Sequence, residues 1–154
     1  MDRSALSAFL GDQFWFRDLS TFDRDALAAA FQVKDVPAGS TIIEQGAKAH
    51  HLYLLIDGEV RVELEKDGVR ETIRPLHPGS LFGILALLDH RPRAAACIAT
   101  TACRVGMLER SAFELLSHQH AGIAYPFQRA LGAQLAADFR WAVRQIEHRL
   151  VSVA

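Results

Sequence analysis

Through the middle of the chain, short runs of alternating or branched apolar residues are punctuated by Gly39, Gly46, Gly58, Gly68, Gly79 and Gly83, the rhythm of an all-β sandwich or roll. Val60, Val62 and Leu64 alternate with Glu59, Arg61, Glu63 and Glu65, which predicts a strand with one buried and one wet face. Residues 41–44 and 51–56 read as strands closed by Gln45-Gly46 and Asp57-Gly58. Lys66-Asp67-Gly68 predicts a tight hairpin, with residues 69–74 returning from it. Residues 94–99 and 104–108 are the strands that close the roll.

The period is helical on either side of this region. Leu6, Phe9 and Leu10 form a broken amphipathic pattern, and Ser20 or Thr21 caps a short helix through Phe31, with Leu27 and Phe31 on its apolar face. Ser111 followed by Glu114 reads as a capping box, with Phe113, Leu115 and Leu116 on the buried side. Gly122 interrupts that pattern, and Pro126 suits the first turn of a new helix. Phe127, Leu131, Leu135, Phe139, Val143, Ile146 and Leu150 then lie on one apolar stripe. A helix so long cannot bury its whole stripe on a small roll, so part of it should meet a second helix, most simply in a homodimer. The expected segments are a helical one over 1–32, a β-roll over 33–110 and C-terminal helices over 111–154 of one domain.

Charge and cysteine content narrow the function classes. The 17 Lys+Arg and 18 Asp+Glu leave a formal net charge of −1, with no overall basic footprint for nucleic acid, so no direct DNA binding by this chain is expected. No stretch approaches the roughly 20 apolar residues of a membrane span. Cys97 and Cys103 match no usual zinc or redox spacing, and the reading is a reducing, cytoplasmic compartment. His50 and His51 point to opposite faces of a strand, and His118 and His120 are poorly spaced on a helix, so no metal site is assigned. Nor is a catalytic residue, there being no nucleophile elbow or Ser-His-Asp order.

The densest signal lies at 78–96. Pro78-Gly79-Ser80-Leu81-Phe82-Gly83-Ile84-Leu85-Ala86-Leu87-Leu88 leads through Asp89-His90-Arg91 to Pro92-Arg93-Ala94-Ala95-Ala96. Exposed backbone N–H groups facing an arginine before a strand predict an anion cradle, with Arg93 offering a planar donor fork to phosphate. This segment resembles the phosphate-binding cassette of the cyclic nucleotide-binding domain family. Residues 46–60 resemble that family's glycine-framed strands, and residues 131–136 resemble the dimerisation helix of catabolite-activator (CRP/FNR) type regulators. The resemblance implies a jelly-roll, or double-stranded β-helix, carrying a long C-terminal dimerisation helix.

It further implies a ligand-binding set of Phe82, Gly83, Ile84, Leu85, Ala86, Arg93, Ala94 and Ala95. Arg93 would meet the phosphate, the N–H groups of Gly83, Ala86 and Ala94 would line phosphate and ribose, and Phe82 would brace the cassette. Ile84 stands where the family has a glutamate that accepts the ribose hydroxyl, a loss worth roughly 10- to 150-fold in affinity. Ala142 stands where a catabolite activator has a base-contacting hydroxyl, with Trp141 beside it. The expectation is a non-enzymatic sensory module without a DNA-binding half. Its ligand is a cyclic nucleotide or another small anion, and no resident cofactor is assigned. The alternative is a non-binding scaffold that acts through its C-terminal helix on another protein. A metal-dependent β-roll enzyme is the third and weakest reading.

Overall fold

Asp2 and Ser20 open the first two helices. The Asp2 carboxylate accepts from the Ala5 N–H at 2.8 Å and starts α1 (Arg3–Asp12), while Ser20 Oγ accepts from the Asp23 N–H at 3.1 Å and starts α2 (Thr21–Ala30). The structure, a computed structural model, describes residues 1–153, the side chains of Ala86, Leu87 and Val153 excepted. Ala154, at the end of the expected helical tail, lies outside the described residues.

The strands follow as β1 (Gln32–Val36), β2 (Thr41–Ile43), β3 (His51–Asp57), β4 (Val60–Lys66), β5 (Val69–Leu76) and β6 (Leu81–Phe82). Helix α3 (Ile84–Asp89) precedes β7 (Ala96–Ala99) and β8 (Cys103–Glu109), and α4 (Arg110–Gln119) and α5 (Ala121–Val153) complete the chain. Two antiparallel four-stranded sheets, ordered β1-β8-β3-β6 and β2-β7-β4-β5, form the jelly-roll. The fold is mainly β, with a long C-terminal helix, as the sequence predicts. Strand β1, whose side chains do not alternate between buried and exposed, and the two-residue β6 are not read individually from the sequence.

Strand β3 belongs to both cores. Leu52, Leu54 and Ile56 pack with Leu6, Leu10, Leu27, Ile123 and Phe127 of the helices, whereas Tyr53 and Leu55 pack between the sheets with Val60, Leu76, Cys97 and Val105. Its apolar run is continuous because both faces are covered. The Asp67-Gly68 turn has two positive φ values, 54° and 79°, and directly joins the Lys66–Val69 pair, as a type I′ hairpin requires.

Three local expectations are corrected. α4 starts at Arg110 without a side-chain cap, so Ser111 and Glu114 form no capping box; Arg110 N–H donates to His50 O at 3.0 Å and continues β8 directly into the helix. Leu115 is exposed, while Leu116 is buried and Phe113 partly so. Gly122 does not interrupt a helix but lies in the first turn of α5, which begins five residues before Pro126. A Cβ at Gly122 would meet Asp23 Oδ2 at 2.6 Å, so glycine lets α5 approach α2.

The β4 face bearing Glu63 is not simply wet, since Glu63 is buried beneath Arg61, whose Nε donates to Oε1 at 2.5 Å. Against β4, the partner register steps from Arg74 to Thr72, leaving Ile73 as an extra residue in β5. This bulge turns Arg74 and Glu71 toward the same side despite their odd spacing. Both meet α5 there, Arg74 pairing with Asp138 and Glu71 with Arg149.

Because Leu54 of β3 is fully buried beneath the helices, Leu54→Ala should reduce unfolding free energy by about 2–5 kcal/mol in urea titrations. An effect below about 1 kcal/mol would contradict the two-faced packing of β3.

Candidate functional site

Gly83 holds the cassette together. Its φ of 75° is in the left-handed region, and it precedes α3 directly. A Cβ there would meet Arg93 Nη1 at 2.8 Å, Ile43 Cδ1 at 3.1 Å and Tyr53 Cδ2 at 3.3 Å, so both backbone conformation and space require glycine. The close approach lets Arg93 Nη1 donate to Gly83 O at 2.6 Å, while Nη2 donates to His51 O at 2.6 Å. The backbone of Arg93 is pinned as well: its N–H donates to Ala47 O at 2.9 Å, and its carbonyl accepts from Gly46 N–H at 2.8 Å.

Arg93 is 6% exposed, and among the described residues no carboxylate pairs with it. Its guanidinium lies 5.9 Å from the centroid of the Tyr53 ring, which stacks on Phe82 at 5.2 Å and 20°. Burial pushes the Arg93 pKa down and raises that of Tyr53. Burial also pushes the Cys97 thiol up to about 12, making it an inert wall residue. Burial lowers the pKa of His51, which favours the neutral ring.

Of these groups, Phe82, Arg93 and Cys97 border a cavity of about 340 Å³. Phe82, Gly83, Ile84, Leu85, Arg93, Ala94 and Ala95 all line it, so the cassette segment converges on one space. The side chain of Ala86 lies outside the described part. Ile84 also packs into the helical core with Leu52, Leu54 and Leu81, and offers no acceptor where the family has a carboxylate. Cavity walls come from Val62 and Leu64 of β4 and from Ile73 and Leu76 of β5.

Sequence reasoning missed Arg74 and Asp138. Both line the cavity, as does Leu135 of α5, and Asp138 Oδ1 accepts from Arg74 Nη1 and, at 2.9 Å, from Gln134 Nε2. The position assigned from the long helix, Ala142, is exposed and does not line the cavity. The Gln134-Asp138 spacing of one helical turn was visible, but the bulge that aims Arg74 at it was not.

A family model described as the cyclic nucleotide-binding domain matches residues 33–120. The chain belongs to that family. Over 114 residues it is 40% identical to the cAMP-dependent protein kinase regulatory subunit of Aspergillus fumigatus, covering 74% of this chain and 27% of the relative. It thus spans about a quarter of the length of that curated relative. Among solved structures, a cyclic nucleotide-binding domain from Methylobacillus flagellatus shares the fold, with a TM-score of 0.84 at 22% identity over 96% of this chain and 83% of that one. The Thermus thermophilus catabolite activator protein superposes with a TM-score of 0.72 at 30% identity, covering 90% and 62% of the two chains. The regulatory domain of Toxoplasma gondii PKA, solved with cAMP, gives 0.65 at 31% identity over 74% and 44%.

Gly83→Ala should lower stability by at least about 1–2 kcal/mol from the left-handed backbone alone, with the clash against Arg93 added. Thermal denaturation beside Gly132→Ala, a site where an added Cβ meets nothing within 4 Å, isolates the effect. Equal melting of the two variants would refute the role assigned to Gly83.

Proposed function

We propose that this cyclic nucleotide-binding domain is a non-catalytic regulatory module that holds a cyclic nucleotide in the cassette cavity, with the phosphate against Arg93. The observation that carries this reading is a buried guanidinium with no carboxylate partner among the described residues, at the wall of a largely apolar cavity. Burying a charge without an opposite one is unfavourable, and a bound anion removes that penalty. Two carbonyls take two of the five guanidinium N–H donors and fix its plane, leaving others for phosphate oxygens. The cavity volume falls within the range of small-molecule sites. Cyclic AMP in the Toxoplasma relative supports the ligand class. Phe82 braces Tyr53 beneath Arg93, and Gly83, Leu85, Ala94 and Ala95 form the surrounding wall. With Ile84 in place of a carboxylate, the ribose hydroxyl has a weaker hold than in a complete cassette.

The helices before residue 33 and after residue 110 act with the roll as a single domain, because the helical core is built on β3. Output passes through α5, which touches the cavity at Leu135 and Asp138. Ligand binding shifts the population of roll and helix arrangements, and so changes what α5 presents. Phe127 and Leu131 are buried and Leu135 is partly buried, but Phe139 is 71%, Val143 37%, Ile146 59% and Leu150 68% exposed. That exposed half of the stripe supports homodimerisation. The same half, together with the apolar Ile84, supports the second reading of a scaffold that binds another protein.

Thermal unfolding with cyclic AMP or cyclic GMP tests the binding reading. A ligand at about 100 times its Kd adds roughly 2.7 kcal/mol, raising Tm by about 5–11 °C for a domain of this size. Arg93→Ala should abolish that shift. No shift with either nucleotide would favour the scaffold.

Dimerisation is checked by light scattering: the wild-type chain should run at twice the 17.0 kDa chain mass, and Phe139→Glu/Ile146→Glu at the monomer mass. A wild-type monomer at all accessible concentrations would refute the homodimer.

A further inference from the structure

The connection between α1 and α2, together with the first half of α5, carries a surface that the cassette does not use. Gln13 O accepts from the N–H groups of Phe16 and Arg17 at 3.0 Å each, so the chain makes one helical turn that puts Phe14 and Arg17 on the same side. Phe16 and Leu19 are buried in the helical core, the Phe16 ring 5.7 Å from that of Phe127, and this anchors the turn on α5. Trp15 is partly buried against the same core, and Phe14, 62% exposed, meets its ring edge-on at 4.9 Å. From α5, Tyr125 and Arg129 stand one helical turn apart, Tyr125 being 66% exposed.

Two guanidiniums alternate with these rings. Arg17 lies 4.6 Å from the centroid of Phe14, and Arg129 lies 5.8 Å from those of both Trp15 and Tyr125. Among the described residues neither arginine pairs with a carboxylate. Stacking engages the face of a guanidinium and leaves the N–H donors in its plane. Beyond a contact of 3.4 Å from Arg129 Nη1 to Tyr125 OH, those donors meet no acceptor among the described residues. Exposed aromatic rings beside arginines are the composition of the centre of a protein–protein contact, and a platform anchored on the core has little ordering to lose on binding.

The charge pattern says what kind of partner fits. Unmatched guanidinium edges call for carboxylates. Asp12 and Asp18, both exposed, bound the turn in sequence, and the chain as a whole carries a formal net charge of −1. A uniformly anionic surface, bilayer or nucleic acid, would press phosphates against those aspartates, whereas a peptide places its carboxylates at discrete points. We propose that the ladder of Arg17, Phe14, Trp15, Arg129 and Tyr125 docks an acidic peptide segment of a partner protein, with carboxylates on the two guanidiniums and apolar side chains on Phe14 and Tyr125. The site stands apart from the ligand reading, since it shares no lining residue with the cassette cavity.

Trp15 reports on the site directly. The chain has two tryptophans, so Trp141→Phe leaves Trp15 as the single one in the full chain. The probes are short synthetic peptides of glutamates interspersed with leucine or phenylalanine, beside matched peptides with glutamine for glutamate. The glutamate peptides should change Trp15 emission saturably, and added salt should weaken them. Arg17→Glu/Arg129→Glu alters two exposed side chains, should melt as the parent does, and should bind the glutamate peptides about tenfold more weakly. Arg140→Glu/Arg144→Glu makes the same change of net charge on the far half of α5 and should bind within about twofold of the parent. No binding of the glutamate peptides at millimolar concentration, equal binding of the glutamine peptides, or undiminished affinity in Arg17→Glu/Arg129→Glu would overturn the proposal. So would a Trp15 response to phosphatidylserine vesicles in place of the peptides.

Discussion

Strand β3 constrains everything else because it has no free face. Leu52, Leu54 and Ile56 form the floor on which the helices rest, and Tyr53 and Leu55 form part of the interior of the roll. A strand buried on both sides leaves no alternative register, since a one-residue slip would exchange two sets of side chains that fit different surroundings. The same strand supplies His51 O to the Arg93 guanidinium and places the Tyr53 ring near it. Site and scaffold thus share one element, so perturbing the helical core perturbs the geometry around Arg93.

The second constraint is electrostatic. A guanidinium at 6% exposure is held by carbonyl dipoles and an aromatic ring rather than by a carboxylate. Such an arrangement tolerates the charge but does not neutralise it. Gly83 makes it feasible by approaching Arg93 more closely than any side-chain-bearing residue could. Elsewhere near the cavity, the cation Arg74 has its counter-charge in Asp138. That contrast, one arginine paired with a carboxylate and one without such a partner among the described residues, is why the proposed anion site is placed at Arg93.

What the sequence displays and what it conceals divide along physical lines. The Asp67-Gly68 hairpin, the Leu52–Ile56 run, the cassette and the α5 stripe are local patterns, set by backbone preference or by burial of one continuous face, and they are legible. The extra residue Ile73 is not, because a bulge depends on how β5 is paired with β4, and register is a property of two strands together. Without it Arg74 cannot be aimed at α5, so Arg74 and Asp138, two of the three charged lining residues, were not legible. The capping box at Ser111 failed for a related reason: the pattern was present, but β8 and the Arg110 contact with His50 O fix the helix start two residues earlier. The assignment of Ala142 came from carrying a family position along a helix whose placement on the roll the sequence does not determine.

The bulge also explains why α5 can serve two ends at once. It turns Arg74 and Glu71 to one side of β5, and their partners Asp138 and Arg149 lie three helical turns apart on α5. Two ion pairs so far apart fix the direction of a helix as well as its position, although each is partly solvated and individually weak. Between them lie Phe139, Val143 and Ile146, which are exposed and therefore not spent on the roll. The buried Ile123, Phe127 and Leu131 seat the first half of α5, and the two ion pairs guide the second half without covering its apolar surface. A change at Asp138 on filling the cavity would act on one end of that two-point support while the other end stays tied to Glu71.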